Sequence, residues 1–99
     1  MPILNTIEDV METFADYADV PVHIRMPMAR YIINGDNGGD FVTSVFENNL
    51  TKAIFYADSI CLNSIRDICS WVHNVAPVDC WGSREDVARY QRIRRKRNK

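Results

Sequence analysis

Apolar residues recur at intervals of three and four along most of this chain, and no run alternates apolar with polar over the length of a strand. That periodicity marks helices with one buried face. Four Gly and four Pro cut the pattern into short pieces. Proline disfavours helical geometry in the residue before it, and glycine readily takes left-handed angles. With 99 residues there is material for one domain and one core. The expected fold is all-α, a compact irregular bundle of five or six short helices. A single helical domain is expected over 1–91, followed by a partly frayed basic tail over 92–99.

The first helix is expected over 6–18, with Asn5 and Glu8 at capping-box spacing and Ile7, Val10, Met11, Phe14 and Ala18 on one stripe. Val20-Pro21 ends it, and 21–26 reads as a connector. Pro27 fits the first position of a second helix over 27–34, stopped by Gly35. Asp36-Asn37-Gly38-Gly39 is the clearest loop, and Asp40 is placed to cap the third helix. Asn48-Asn49 predicts a break. A helix over 50–56 follows, then one from a turn at Asp58-Ser59 to Asn74, carrying Cys61, Ile65, Ile68, Cys69 and Val72 on one side. After a loop over 78–82, Ser83 caps the last helix, with Asp86 three residues on.

Charge is divided along the chain. Residues 1–83 hold four basic and eleven acidic side chains, a balance of −7; residues 84–99 hold eight basic and two acidic, a balance of +6. An acidic body with a basic arm suits binding to nucleic acid, or to another subunit's acidic face. No stretch of about 18 apolar residues is present, so no membrane partner is expected. The first charges, Glu8, Asp9 and Glu12, have the wrong sign for a secretion leader, so the protein is expected to stay in the cytoplasm where it is made. Cys61, Cys69 and Cys80 are odd in number and form no Cys-x-x-Cys pair; they read as reduced thiols, with Cys61 and Cys69 in the core.

Tyr31-Ile32, Gly35, Gly39-Asp40-Phe41-Val42-Thr43, Asn48-Asn49-Leu50, Ala57-Asp58, Asn74, Ala76-Pro77 and Cys80-Trp81-Gly82-Ser83 stand in an order that resembles a group of small accessory proteins of tailed phages and prophages. Those proteins show Gly-x-Phe-Leu-Thr-x-Val-Leu, then Asn-Asp-Leu, then Ala-Pro-x-x-Cys-Trp-Gly-Ser. Here Val42, Phe46 and Asn49 replace the two Leu and the Asp. The resemblance covers about 27–90 and leaves out the acidic first helix and the Arg-rich tail. It implies a viral accessory role inside an infected bacterium, hence the host bacterial cytoplasm, and it assigns no catalytic residue.

Four features invite chemistry. Gly38-Gly39, leading into a helix, exposes backbone N–H groups that can hold a phosphate. Asp36 and Asp40 oppose an anion there unless Arg25 or Arg30 lies alongside, and the plainer reading is a tight turn. Trp81 sits in a loop, where it either stacks on a base or closes the end of the bundle. Cys69 and His73 share a helix face and form half of a metal or Cys-His site, with His23 and Cys80 as the candidate completions; no third group orients the imidazole. Six of the eight residues over 92–99 are cationic, and Arg92, Arg94, Arg95, Lys96 and Arg97 either contact phosphates or complement their own helix dipole and the acidic body.

No hydrolase elbow, nucleotide-binding loop or His-Glu-x-x-His occurs. A non-enzymatic protein with no catalytic residue, metal or cofactor is therefore expected. The favoured function is antagonism of the bacterial host by sequestering a nucleotide-like immune signal in a homo-oligomer, with Arg25, Arg30, Gly38, Gly39 and Trp81 as ligand contacts. The competing readings are inhibition of a host protein by DNA mimicry on the acidic surface, and nucleic-acid binding by the tail.

Overall fold

The structure is a computed structural model that describes residues 4–97. Seven α-helices follow one another: α1 (Ile7–Thr13), α2 (Val22–Asn34), α3 (Asp40–Phe46), α4 (Leu50–Tyr56), α5 (Ser59–Asn63), α6 (Ile65–Asn74) and α7 (Arg84–Arg97). Single 3₁₀ turns at Phe14–Asp16 and Val78–Cys80 complete the list. No strand occurs among the described residues, so the all-α expectation holds, with one or two more helices than expected. No helix among these residues is long and apolar enough to cross a membrane.

Local chemistry explains most of the breaks. Thr6 caps α1 in a reciprocal box with Asp9, one residue later than the Asn5–Glu8 pairing that the sequence suggested. Gly35 ends α2 at φ 73°. Asn48 turns the chain at φ 59°, and the Asn49 side chain accepts from the Lys52 N–H to open α4. The Asp58 carboxylate accepts from the Cys61 N–H and opens α5. The Ser83 hydroxyl accepts from the Asp86 backbone N–H and donates its proton to the Asp86 carboxylate.

Several expectations need correction. The expected connector is helical from Val22 on, so Pro27 sits inside α2 and not at its start. The buried stripe Ile24, Met28, Tyr31 and Ile32 runs straight through the proline. Burying Ile24 is worth about 1.5–3 kcal/mol, comparable with the roughly 3 kcal/mol that an interior proline costs. Asp40 opens the first turn of α3, while Gly39, at φ 92°, takes the cap position. The helix expected from Asp58 to Asn74 breaks at Ser64 into α5 and α6. α7 runs on in one piece through Arg97, and residues 98 and 99 of the expected tail lie outside the described residues.

Helix α2 packs against α1, α3 and α7, and α3 packs against α4. Fully buried Trp71 of α6 stacks on Phe14 at 4.8 Å and donates its indole N–H to the Thr13 hydroxyl at 2.8 Å. That hydroxyl in turn donates to the Val10 carbonyl, so a buried polar chain is closed without an orphan. On the other flank Tyr31 lies against Phe46 (4.4 Å) and Tyr90 (5.5 Å). The Tyr31 hydroxyl donates to the Cys80 carbonyl, and the Tyr90 hydroxyl to that of Ile32. The Cα radius of gyration, 12.4 Å, is that expected of a close-packed chain of this length.

Helix α7 lies so close to the end of α2 that a Cβ on Gly35 would stand 2.9 Å from the Gln91 carbonyl oxygen and 3.0 Å from Arg94 Cβ. Gly35→Ala should lower the unfolding free energy by about 1–3 kcal/mol from backbone strain alone, and by more where α7 is pushed away. Urea denaturation followed by circular dichroism checks this, and a loss below about 0.5 kcal/mol would show that α7 is not held at this point.

Candidate functional site

Three surface depressions hold the residues capable of chemistry. The first, about 260 Å³, lies between the start of α2, the loop before α3 and the α4–α5 junction. It is lined by His23, Pro27, Gly38, Gly39, Asp40, Phe41, Tyr56, Asp58 and Cys61, among others. The second, also about 260 Å³, is walled by Val45, Asn48, Cys69, Val72, His73 and Trp81. The third, about 420 Å³ and widely open, runs along α7 beside Ala88, Gln91, Arg92, Arg95 and Lys96.

In the first cleft three unlike donors converge. His23 Nε2 is 2.9 Å from Asp58 Oδ2 and 3.6 Å from Cys61 Sγ, and the three donor atoms all lie within 4.8 Å of one another. Helix α2 presents His23 from its first turn. Asp58 and Cys61 come from the cap and first turn of α5, where the capping bond itself sets their spacing. The Cys61 N–H donating to Asp58, followed by contacts with the Cys61 thiol and His23, holds this carboxyl below the usual range. Burial, then the neighbouring carboxylate, pushes the Cys61 thiol up to about 11. Such a thiol is protonated at neutral pH and is a poor nucleophile. A catalytic relay would also place the acid on the imidazole nitrogen away from the thiol; here both approach Nε2.

The predicted ligand residues are not brought together. Gly38 and Gly39 line the first cleft, but the Gly39 N–H already donates to Asn37 Oδ1 at 2.9 Å, an acceptor that also takes the Thr43 hydroxyl. Asp40 and Asp58 make that cleft acidic, a poor fit for phosphate. Arg25 turns away, donating to the carbonyls of Val20 (3.0 Å) and Ala18 (2.9 Å) with its guanidinium 5.3 Å from the Phe14 ring centre. Arg30 is exposed on α2 and lines none of the three depressions. Trp81 is half-buried in the second cleft, edge-on to His73 with ring centres 6.0 Å apart.

The cysteines also differ from expectation. Cys69 is exposed, whereas Cys80 joins Cys61 in the interior. Cys69 and His73 share the second cleft with Trp81, but neither proposed completion reaches them. His23 lies with Cys61 and Asp58, and Cys80 is sealed beneath Tyr31. Sequence reasoning missed the first cleft because His23 and Asp58 are 35 residues apart. Locally, Asp58-Ser59 announces only a turn.

The tail residues divide by role. Arg94 Nε donates to the Tyr90 hydroxyl at 3.0 Å and its guanidinium stacks on that ring; Arg95 Nε donates to the Gly35 carbonyl. Arg92, Arg95 and Lys96 border the third depression, and Arg97 is exposed at the end of α7. Comparisons with family models, with curated proteins and with solved structures found no match.

Thiol exposure offers a direct check on this geometry. Under native conditions an aromatic disulfide reagent should modify Cys69 first, with Cys61 and Cys80 lagging by at least about ten-fold, since burial shields both and favours their protonated forms. Peptide mapping after partial reaction identifies the site. Early labelling of Cys80 would contradict the Tyr31 packing.

Proposed function

We propose that this protein acts by binding and not by catalysis, as a phage-type accessory protein that sequesters a nucleotide-like, phosphate-bearing signal of the bacterial host on the basic face of α7. The observation that carries this reading is that Arg92, Arg95 and Lys96 border one open depression along α7. Their spacings of three and four residues put them on one helix face. Like charges so placed repel one another by a few tenths of a kcal/mol per pair, and a bound anion relieves that repulsion. Arg95 is fixed in direction by its bond to Gly35, so part of the entropic cost of ordering the site is met before a ligand arrives. On this reading phosphate contact falls to α7, where the sequence had suggested Arg25, Arg30, Gly38 and Gly39.

The same groove favours a second reading, a short single strand of nucleic acid, because it is open along the helix. A third, DNA mimicry toward a host protein, draws on Glu8, Glu12, Asp16 and Asp19, which are all exposed on the N-terminal segment. Asp9 does not belong to that surface role, since its carboxylate closes the cap of α1. Fluorescence anisotropy with a labelled cyclic dinucleotide and a labelled ten-base DNA separates these readings. Arg92→Glu with Lys96→Glu should weaken dinucleotide binding by at least about ten-fold, with circular dichroism unchanged. Preference for DNA with a steep salt dependence selects the second reading. Binding of neither probe overturns both and leaves the acidic surface.

Assembly is part of this proposal. Leu50, Ile54, Phe55, Ile60 and Leu62 are all exposed on α4 and α5, with Phe55 79% accessible. From Leu50 to Asn63 only Lys52 and Asp58 are charged. Two copies of this surface meet without like-charge repulsion, and an apolar face of this kind marks an association surface. Phe55→Asp should convert the oligomer to monomer in size-exclusion chromatography with light scattering. A monomeric wild-type chain at tens of micromolar would reject the assembly.

A further inference from the structure

We infer that His23, Asp58 and Cys61 form a site for a divalent transition metal, zinc by preference, that clasps α5 to the start of α2. The argument begins with the protons. Imidazole Nε2 carries at most one proton, and it faces a carboxylate oxygen at 2.9 Å and a sulfur at 3.6 Å. As a donor it satisfies the carboxylate; as an acceptor from the thiol it turns its lone pair toward an anion. One cation in the space between them satisfies all three lone pairs at once.

The distances fit. Tetrahedral zinc with bonds of about 2.0 Å to nitrogen and 2.3 Å to sulfur sets its N and S ligands ~3.5 Å apart, against 3.6 Å here. Nitrogen and oxygen ligands stand ~3.3 Å apart in such a site, so the His23–Asp58 pair must open by a few tenths of an ångström. Both side chains are about half exposed and free to do so. Cys61, by contrast, is buried and fixed by its helix. On binding, the thiol proton passes to solvent and the sulfur joins the metal as thiolate. A mixed nitrogen–sulfur–oxygen set selects zinc over calcium or magnesium, which prefer oxygen alone. Three protein ligands are also the number found where zinc keeps an exchangeable fourth position, and the 260 Å³ cleft beside Gly38, Gly39 and Tyr56 gives that position room.

The test uses the full-length chain, purified under a non-chelating reductant. Zinc is titrated in competition with a chromophoric chelator, and cobalt(II) is added separately for spectroscopy. One zinc per chain is expected, together with a thiolate-to-cobalt charge-transfer band and tetrahedral ligand-field bands. His23→Gln and Asp58→Asn should each weaken zinc by at least about ten-fold, and Cys61→Ser should remove the charge-transfer band. Cys69→Ser should change neither. Because Cys61 is buried, Cys61→Ser can fail to fold, so His23→Gln, on an exposed side chain, carries the decision with circular dichroism as its control. Zinc should also raise the Tm of the wild type and leave that of His23→Gln unmoved. No stoichiometric binding, binding indifferent to His23→Gln, or a cobalt band lost with Cys69→Ser in place of Cys61→Ser would overturn the site.

Discussion

Tyr31 holds the arrangement together, because one side chain joins three parts of the chain that are far apart in sequence. Its ring lies between Phe46 of α3 and Tyr90 of α7, and its hydroxyl reaches the Cys80 carbonyl 49 residues away. Burial pushes both tyrosine hydroxyls up, so they remain neutral donors. A donor sealed in an apolar interior costs about 1–3 kcal/mol if its partner is lost. The position of the Val78–Cys80 turn is therefore tied to α2. The Gly82 N–H then donates to the Phe46 carbonyl, tying the same segment to the end of α3. Helix α7 starts two residues later, so its course over Gly35 follows from where that turn is held.

The local part of this was legible in the sequence. Gly35, Asn48-Asn49, Asp58 and Ser83 act through their own backbone angles or through side chains that reach three residues, so each announces a boundary within its immediate neighbourhood. What escaped was decided by tertiary packing. Pro27 reads as a start signal, yet Ile24 has to face the core alongside Met28, and α2 begins a turn and a half earlier. Cys69 falls on the expected stripe, but the buried face of α6 is centred on Ile68, Trp71 and Val72, so Trp71 turns inward and Cys69 lies outside that face. The trio in the first cleft joins residues from two distant elements, and periodicity carries no information about such a pairing.

Charge separation along the chain has a spatial counterpart. Helix α7 begins with Glu85 and Asp86 and ends with four consecutive cations, matching the polarity of its own dipole. That match favours a continuous helix through Arg97. It does not account for Arg92, Arg95 and Lys96 bordering a common depression, since dipole complementarity depends on position along the axis and is indifferent to the face. Arg94 shows the contrast: one step away, it folds back on Tyr90 and serves the interior.

The two main depressions therefore differ in the ligands they can take. One offers a carboxylate, an imidazole and a sulfur to a single point and carries Asp40 at its rim; the other offers two guanidinium groups and an ammonium to open solvent. An anion entering the first would meet Asp58, held ionised by its cap bond, and a cation entering the second would meet three like charges. Desolvation sharpens this division, because the Cys61 end of the first cleft is buried, and opposite charges attract more strongly there than along the exposed helix. A single ligand able to use both would have to carry a metal at one end and phosphate at the other. Two separate ligands would require no such coincidence, since the donor set of one depression and the cations of the other lie on different elements of the fold.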